Sequence, residues 1–289
     1  MEAGTNSPIL RFEDVSVFFD EVKALDRVSF ALRKGETCVI LGAAGSGKTV
    51  LLKTALGLLR ADEGRVYLFG NDVTSADEED MVEFRGRIGM LFQEGGLFDS
   101  LTIEENVGYP LVNQPAIHCP AEEVLPRVEE ALRFVELGHT LGKFPSELSG
   151  GMRRRVGIAR ANVTEPPLVL YDSPTAGLDP ITAHTIMALI VKERDTKKTT
   201  TAMVTHRFQD GHLLANYRYN AETERLEAVA GTGGGGAVTK FIVMRAGRLV
   251  FQGTEEELHA SDDPYVGKFV RGFWDSGDSI HGQAAHLST

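Results

Sequence analysis

The chain has 289 residues, 42% of them hydrophobic and 25% charged, which is ordinary for a soluble globular protein long enough to bury a full core. A net charge of −11 argues against nonspecific nucleic-acid binding. No apolar run approaches the roughly 18 residues that a membrane span needs, and residues 1–6 lack the basic and apolar regions of a signal peptide.

Residues 9–17 and 24–32 read as two strands separated by a polar turn. Between them lies Phe18-Phe19-Asp20-Glu21, where an aromatic ring is either a core or strand-end residue or a surface on which an adenine stacks. Lys34-Gly35-Glu36 turns into Thr37-Cys38-Val39-Ile40-Leu41, a short apolar run that predicts a buried parallel strand. Next comes Gly42-Ala43-Ala44-Gly45-Ser46-Gly47-Lys48-Thr49, which satisfies G-x-x-x-x-G-K-[S/T]. Residues 50–57 then read as a helix with leucines on one face. Strand, glycine loop and helix N-terminus aim backbone N–H groups and the positive end of the helix dipole at one point. On this reading Lys48 reaches the β- and γ-phosphates of a nucleotide and the Thr49 hydroxyl binds Mg²⁺. The plain alternative is a glycine turn before an ordinary helix.

Residues 63–71 predict a strand and turn, followed by an acidic linker at 77–80. Arg87-Ile88-Gly89-Met90-Leu91-Phe92-Gln93 is a further strand ending in a polar residue, and 97–107 turn into a short helix. Residues 120–137 form an amphipathic helix with Val124, Val128, Ala131, Leu132 and Val135 on one side. In Leu148-Ser149-Gly150-Gly151-Met152, Ser149 is placed to cap a helix over 153–161; the site is either a second anion site or an ordinary cap. Pro167-Leu168-Val169-Leu170-Tyr171-Asp172 is an apolar strand ending in a carboxylate, the form of a magnesium-side aspartate in P-loop enzymes. Residues 173–180 loop into a helix over 181–195, and 199–204 give one more strand, with Thr205-His206 at its end. This alternation indicates an α/β fold with a parallel sheet and its ligand at the carboxyl ends of the strands.

From 216 to 253 the pattern changes to short antiparallel strands at 217–219, 225–229, 241–244 and 248–251. The run Gly231-Thr232-Gly233-Gly234-Gly235-Gly236 predicts a flexible hairpin tip, because no lysine–threonine end or following helix makes it a phosphate loop. The polar tail from Ser276 is expected to be disordered. Cys38 and Cys119 give neither a disulfide framework nor a metal pattern, which fits a reducing cytoplasm.

At residues 148–152 and 172–179 the chain resembles the ATP-binding subunit of ABC transporters, and the resemblance extends over nearly everything from residue 9. It implies a P-loop NTPase cassette with a mostly parallel core sheet, an antiparallel β subdomain and a helical signature subdomain near 94–164. It further implies a single ATP-binding domain over 1–275, interrupted by a β-hairpin insertion near 216–240. By this resemblance Phe19 is the adenine-stacking position. Gly42, Ala43, Ala44, Gly45, Ser46, Gly47, Lys48 and Thr49 are the Walker A loop, with Val50 continuing the nucleotide contact. Gln93 is the Q-loop glutamine, Asp172 ends the Walker B strand, Ala176-Gly177-Leu178-Asp179 is the D-loop and His206 is the switch histidine. Asp172, Ser173, His206 and Gln93 take the catalytic positions, and Thr49, Gln93 and Asp172 those around Mg²⁺. Ser149, Gly150, Gly151, Met152 and Asp179 would complete the ATP site of a second copy in a head-to-tail dimer, which places the basic run Arg153-Arg154-Arg155 near that copy's phosphates.

The resemblance also implies integral-membrane permease partners, placement at the cytoplasmic face of the inner membrane, and a docking surface at Leu97, Phe98 and Leu101 beside Gln93. Met152 in place of the commoner glutamine, with residues 105–111 and 263–272, is similar to the Mla/Mce lipid-transport ATPases, which implies a lipid or other hydrophobic cargo and an Mce-type lipid-binding partner. One position departs from the pattern. Ser173 stands where the family has a glutamate that polarises the attacking water, and a hydroxyl is no general base near neutral pH. Two further readings therefore stay open: an ATP-dependent clamp or regulator with little hydrolysis, and a soluble ABC protein of DNA repair or translation.

Overall fold

The computed structural model describes residues 7–229 and 239–275. The glycine run at 231–236 and the tail from Ser276 lie outside the described residues.

The chain opens with an antiparallel hairpin, β1 (Leu10–Phe19) and β2 (Val22–Leu32), and enters the core through β3 (Thr37–Gly42). Helix α1 (Lys48–Ala55) follows, then β4 (Glu63–Leu68) and the short β5 (Asn71–Asp72). The predicted acidic linker is instead the start of a helix, α2 (Glu78–Gly86). Asp77 caps it, accepting from the Asp80 N–H at 2.9 Å, and the acids at 78–80 sit where the positive end of the helix dipole favours them.

Next come β6 (Ile88–Leu91), α3 (Ile103–Asn113), α4 (Ala121–Phe134) and α5 (Gly150–Asn162). Then follow β7 (Leu168–Asp172), α6 (Pro180–Lys197), β8 (Thr200–Thr205) and α7 (Phe208–Asn216). The hairpin β9 (Tyr217–Asn220) and β10 (Arg225–Ala228) precedes β11 (Thr239–Arg245), β12 (Arg248–Gly253), α8 (Glu255–His259) and α9 (Pro264–Asp275).

Three sheets result. The central one has the order β12-β11-β3-β8-β7-β6, parallel throughout except for β12. A second, antiparallel sheet runs β2-β1-β4-β5, and among the described residues β9 and β10 pair only with each other. Strands β3, β7 and β8 are buried over their whole length, as parallel strands covered on both faces must be. Their side chains still alternate. Val39, Leu41, Val169, Tyr171 and Met203 join the core shared with α3–α7, whereas Cys38, Ile40, Leu168, Leu170 and Val204 join the core under the antiparallel sheet and α1. The central sheet is thus the wall between two apolar layers, and the carboxyl ends of its parallel strands open on one edge. Burial holds the Cys38 thiol up at about 12, so it behaves as a core residue.

The hairpin β9–β10 is tied to α6. Arg194 donates to the carbonyls of Leu214 and Tyr217, and the Asp195 carboxylate accepts from the Tyr219 N–H at 2.8 Å. Lys192 lies between the rings of Phe134 on α4 and Tyr219 on β9, 4.6 and 5.3 Å from their centroids.

Candidate functional site

The carboxyl end of β3 runs directly into the glycine loop and the N-terminus of α1, as the sequence predicts. Gly47, the residue before the helix, has φ +103°, and a Cβ there would sit 2.5 Å from the Ala24 carbonyl oxygen. Only glycine lets the loop pass this close to β2 while turning in the left-handed region. Gly45 (φ +74°) is the opposite case: a Cβ would meet nothing within 4 Å, so the loop's outer side is open for a ligand. The Lys48 ammonium bends over this loop and donates to the carbonyls of Gly42 at 2.8 Å and Ala43 at 2.9 Å. Burial lowers its pKa, opposed by the nearby Asp172.

Two strands away, β7 delivers Asp172 to the same edge. The Thr49 hydroxyl donates to Asp172 Oδ2 at 3.1 Å, and the Ser173 hydroxyl donates to Asp172 Oδ1 at 3.1 Å. Sequence positions 123 apart are therefore joined by the fold. Ser173 has φ +48°; its N–H donates to the Val204 carbonyl at 2.8 Å and its carbonyl accepts from Arg154 at 3.4 Å. His206 follows directly on β8, the strand beside β7.

Hydroxyl and carboxylate oxygens beside a loop of N–H donors form an incomplete hard-oxygen set. Mg²⁺ is ordinarily held by one or two such side chains together with substrate phosphates and water, so these residues fit it. No group of three or more His, Cys, Asp or Glu able to hold a metal by itself occurs among the described residues.

Other predicted positions are placed separately. Phe19 ends β1 at 46% exposure, which makes it a strand-end ring and leaves a face open. Gln93 lies two residues past β6, exposed, and makes no hydrogen bond to residues 42–50 among the described residues. Ser149 caps α5, accepting from the Met152 N–H at 3.2 Å; Ser149 and Gly150 are exposed, whereas Gly151 is half-buried and Met152 packs partly against the core. Asp179 caps α6, accepting from the Ile181 and Thr182 N–H groups at 3.1 and 3.0 Å.

The basic run is not a free cationic patch. Arg153 donates to the Leu148 carbonyl, Arg154 to the carbonyls of Ser173 and Ala176, and Arg155 to the Val135 carbonyl. Arg154 is only 6% exposed, so it ties α5 to the loop after β7 within its own chain. Leu97 packs against the core, while Phe98 is 42% exposed.

One contact was not legible beforehand. The Tyr265 hydroxyl, from α9, donates to the Met244 carbonyl at 3.0 Å and accepts from the Ala43 N–H at 3.3 Å, bracing the start of the glycine loop. No local signal in the sequence points to it, since its partners lie 21 and 222 positions away.

A parallel sheet whose carboxyl edge carries a glycine loop, a lysine, a threonine and a strand-end aspartate defines a P-loop nucleotide-binding protein. The comparisons refine this class. The family described as "ABC transporter" matches residues 25–176, just over half of the chain, and the chain belongs to that family. It is an ATP-binding cassette. The methionine import ATP-binding protein MetN of Rhizobium johnstonii is 36% identical over 208 residues, which are 72% of this chain and 57% of the relative. The chain thus spans a little over half the length of the curated relatives it matches. Among solved structures, cbiO1 from Clostridium perfringens, part of the ABC transporter complex cbiONQ, aligns with a TM-score of 0.72 and 27% identity, covering 92% of this chain and 94% of that one. A dimeric ATP-binding cassette in a post-hydrolysis state bound to ADP and Pi aligns with a TM-score of 0.69 and 28% identity, covering 85% and 98%. The curated relatives carry the name of methionine import, not of lipid transport, so the subclass expected from residues 105–111 and 263–272 lacks their support.

Proposed function

We propose that the chain is the ATP-hydrolysing, energy-coupling subunit of an ABC transporter. It would bind Mg-ATP between residues 42–50 and Asp172, pair head-to-tail with a second copy and drive a membrane permease. The observation that carries this reading is the Thr49–Asp172 pair set beneath a glycine loop whose outer side is open at Gly45.

In this reading the loop N–H groups and Lys48 hold the β- and γ-phosphates, with charge-assisted hydrogen bonds supplying much of the affinity. Phe19 offers its open face to the adenine. Thr49 and Asp172 supply the oxygens that hold Mg²⁺, assisted by Gln93, and the ion when bound neutralises phosphate charge. The Ser173 hydroxyl donates a hydrogen bond to Asp172, so its lone pairs are left to orient a water, and His206 stands at the end of the adjacent strand. The N-terminus of α5, exposed at Ser149 and Gly150, would meet the phosphates of the partner copy's nucleotide, and pairing of two copies has the support of a structural relative that is dimeric with ADP and Pi bound.

No helix among the described residues is long and apolar enough to cross a membrane. The cassette would therefore reach the cytoplasmic face of the bilayer through its permease. A cavity of about 480 Å³ lies beside the Q-loop and is lined by Met90, Phe92, Phe98, Tyr109, Pro110 and Arg160. With exposed aromatic rings and a guanidinium that also donates to the Gly95 and Gly96 carbonyls, it suits an amphipathic cytoplasmic helix of the permease. For the cargo, methionine-type import has the support of the relatives' names, whereas a lipid cargo with an Mce-type partner rests on the two short segments alone.

The alternative of an ATP-binding clamp with little hydrolysis rests on Ser173 alone. Mg-ATP turnover by the chain, measured with and without membranes carrying the permease recovered with it, tests the proposal. Turnover stimulated by the permease is expected. Tight binding without turnover in either condition would favour the clamp.

A further inference from the structure

Asp210, in the first turn of α7, is 1% exposed, and no part of the proposed ATP chemistry uses it. Its Oδ2 accepts two hydrogen bonds at once, from the Thr175 hydroxyl at 2.7 Å and the Thr205 hydroxyl at 2.8 Å. Its Oδ1 faces Arg207 Nε at 3.8 Å. The groups around the carboxyl are thus two threonine hydroxyls, the Arg207 guanidinium and, further off, His206.

Both threonines are themselves buried. Thr175 follows Ser173 by two residues, and its carbonyl accepts from the Leu178 N–H at 3.2 Å, shaping the turn that leads to Asp179. Thr205 directly precedes His206, and its hydroxyl accepts from the Arg207 N–H at 3.1 Å while donating to Asp210. One carboxylate oxygen therefore joins the loop after β7 to the loop after β8.

A buried carboxylate is costly unless it is hydrogen-bonded, and an apolar side chain would fill this space without that cost. What the carboxylate adds is direction: two donors must converge on one oxygen, so neither loop can shift without straining the other's bond. Arg154 holds the first loop from its other side, through the Ser173 and Ala176 carbonyls. Displacement of Asp179 would then be felt at His206 through Thr175, Asp210 and Thr205 in sequence.

We propose that Asp210 is a positioning residue that makes the loop carrying Ser173 and Asp179 and the loop carrying His206 move as one unit. Its catalytic meaning rests on the ATPase reading above, whereas the linkage is measurable without it.

The test is amide hydrogen exchange on the full chain and on the variants Thr175→Val and Thr205→Val, each checked for an unchanged near-UV spectrum. Thr175→Val should raise exchange at Arg207 by roughly tenfold, although the acceptor of that N–H is untouched. Thr205→Val should likewise raise exchange at Ala176 and Leu178. Thr175→Ser keeps the donor and should leave Arg207 within about twofold of the unmodified chain; Thr175→Ala replaces the valine variant should that one not fold. Exchange raised only in the loop that carries the substitution overturns the proposal, and so does a serine variant that behaves like valine. A chain that binds no Mg-ATP in a parallel titration refutes the ATPase reading and leaves the exchange result standing.

Discussion

Ser173→Glu asks directly what replaces the missing general base. The position suits the substitution. Its φ of +48° lies in a region that costs L-residues about 1–2 kcal/mol, but serine already carries that cost and glutamate is not β-branched. The backbone bonds that fix the position, N–H to Val204 and carbonyl from Arg154, involve no side-chain atom of residue 173. What is lost is the hydroxyl bond to Asp172, worth about 1.5–3 kcal/mol to stability because its acceptor is charged, though not to the transition state. What is gained is a carboxylate beside Asp172, whose charge raises the newcomer's pKa toward the working pH of a base. A positioned base contributes about 10²–10⁴ in rate, or roughly 2.7–5.5 kcal/mol of barrier. Rapid-quench single-turnover hydrolysis should therefore rise by about 10²-fold or more in Ser173→Glu, while Ser173→Ala stays within about threefold of the unmodified chain. Brisk hydrolysis by the unmodified chain that Ser173→Glu fails to raise would refute the reasoning. Another group would then activate the water, with His206 and Glu94, the exposed residue directly after Gln93, the first to test.

Three further outcomes are expected. Glu193 is 3% exposed on α6, and burial pushes its carboxyl from 4.5 up to about 7. Its contribution to stability is thus full below pH 4.5 and lost as pH rises through 7, by about 3 kcal/mol at about 1.4 kcal/mol per unit. Glu193→Gln should remove most of that slope from urea unfolding measured between pH 5 and 8, and an unaltered slope contradicts the assignment. ATP should convert monomer to dimer in sedimentation velocity, and Ser149→Arg should block the conversion by placing bulk and charge at the first turn of α5; a persistent dimer sinks the head-to-tail arrangement. Phe98→Glu should release the chain from permease-containing membranes with Mg-ATP affinity within about twofold of the original, and undiminished membrane association would place docking elsewhere.

The glycine loop, the strand-end aspartate and the capping serine were legible because each is local: loop, cap and strand end are set by neighbouring residues. The order of strands was not, since β3, β7 and β8 are buried on both faces over their whole length, so no alternation of buried and exposed residues marks which neighbour each one takes. The acidic stretch at 77–80 misled for a related reason. Four carboxylates in a row look like a solvated linker until Asp77 is recognised as the cap that puts the other three in a first turn. The arginines at 153–155 show the opposite limit, because their charge is plain in the sequence while the carbonyls that absorb it come from residues up to 22 positions away. Asp210 and Tyr265 were invisible for the same reason. Their partners, Thr175 with Thr205 and Ala43 with Met244, are assembled only by the fold.

The central claim is that residues 42–50, with Lys48 above them, bind the phosphates of Mg-ATP. Calorimetric titration of Mg-ATP into the unmodified chain and into Lys48→Ala tests it most directly. Removing one charge-assisted donor worth about 1.5–3 kcal/mol should weaken binding by roughly ten- to a hundredfold. Equal affinity in the two proteins would contradict the phosphate-loop assignment, and with it the transporter reading built on it.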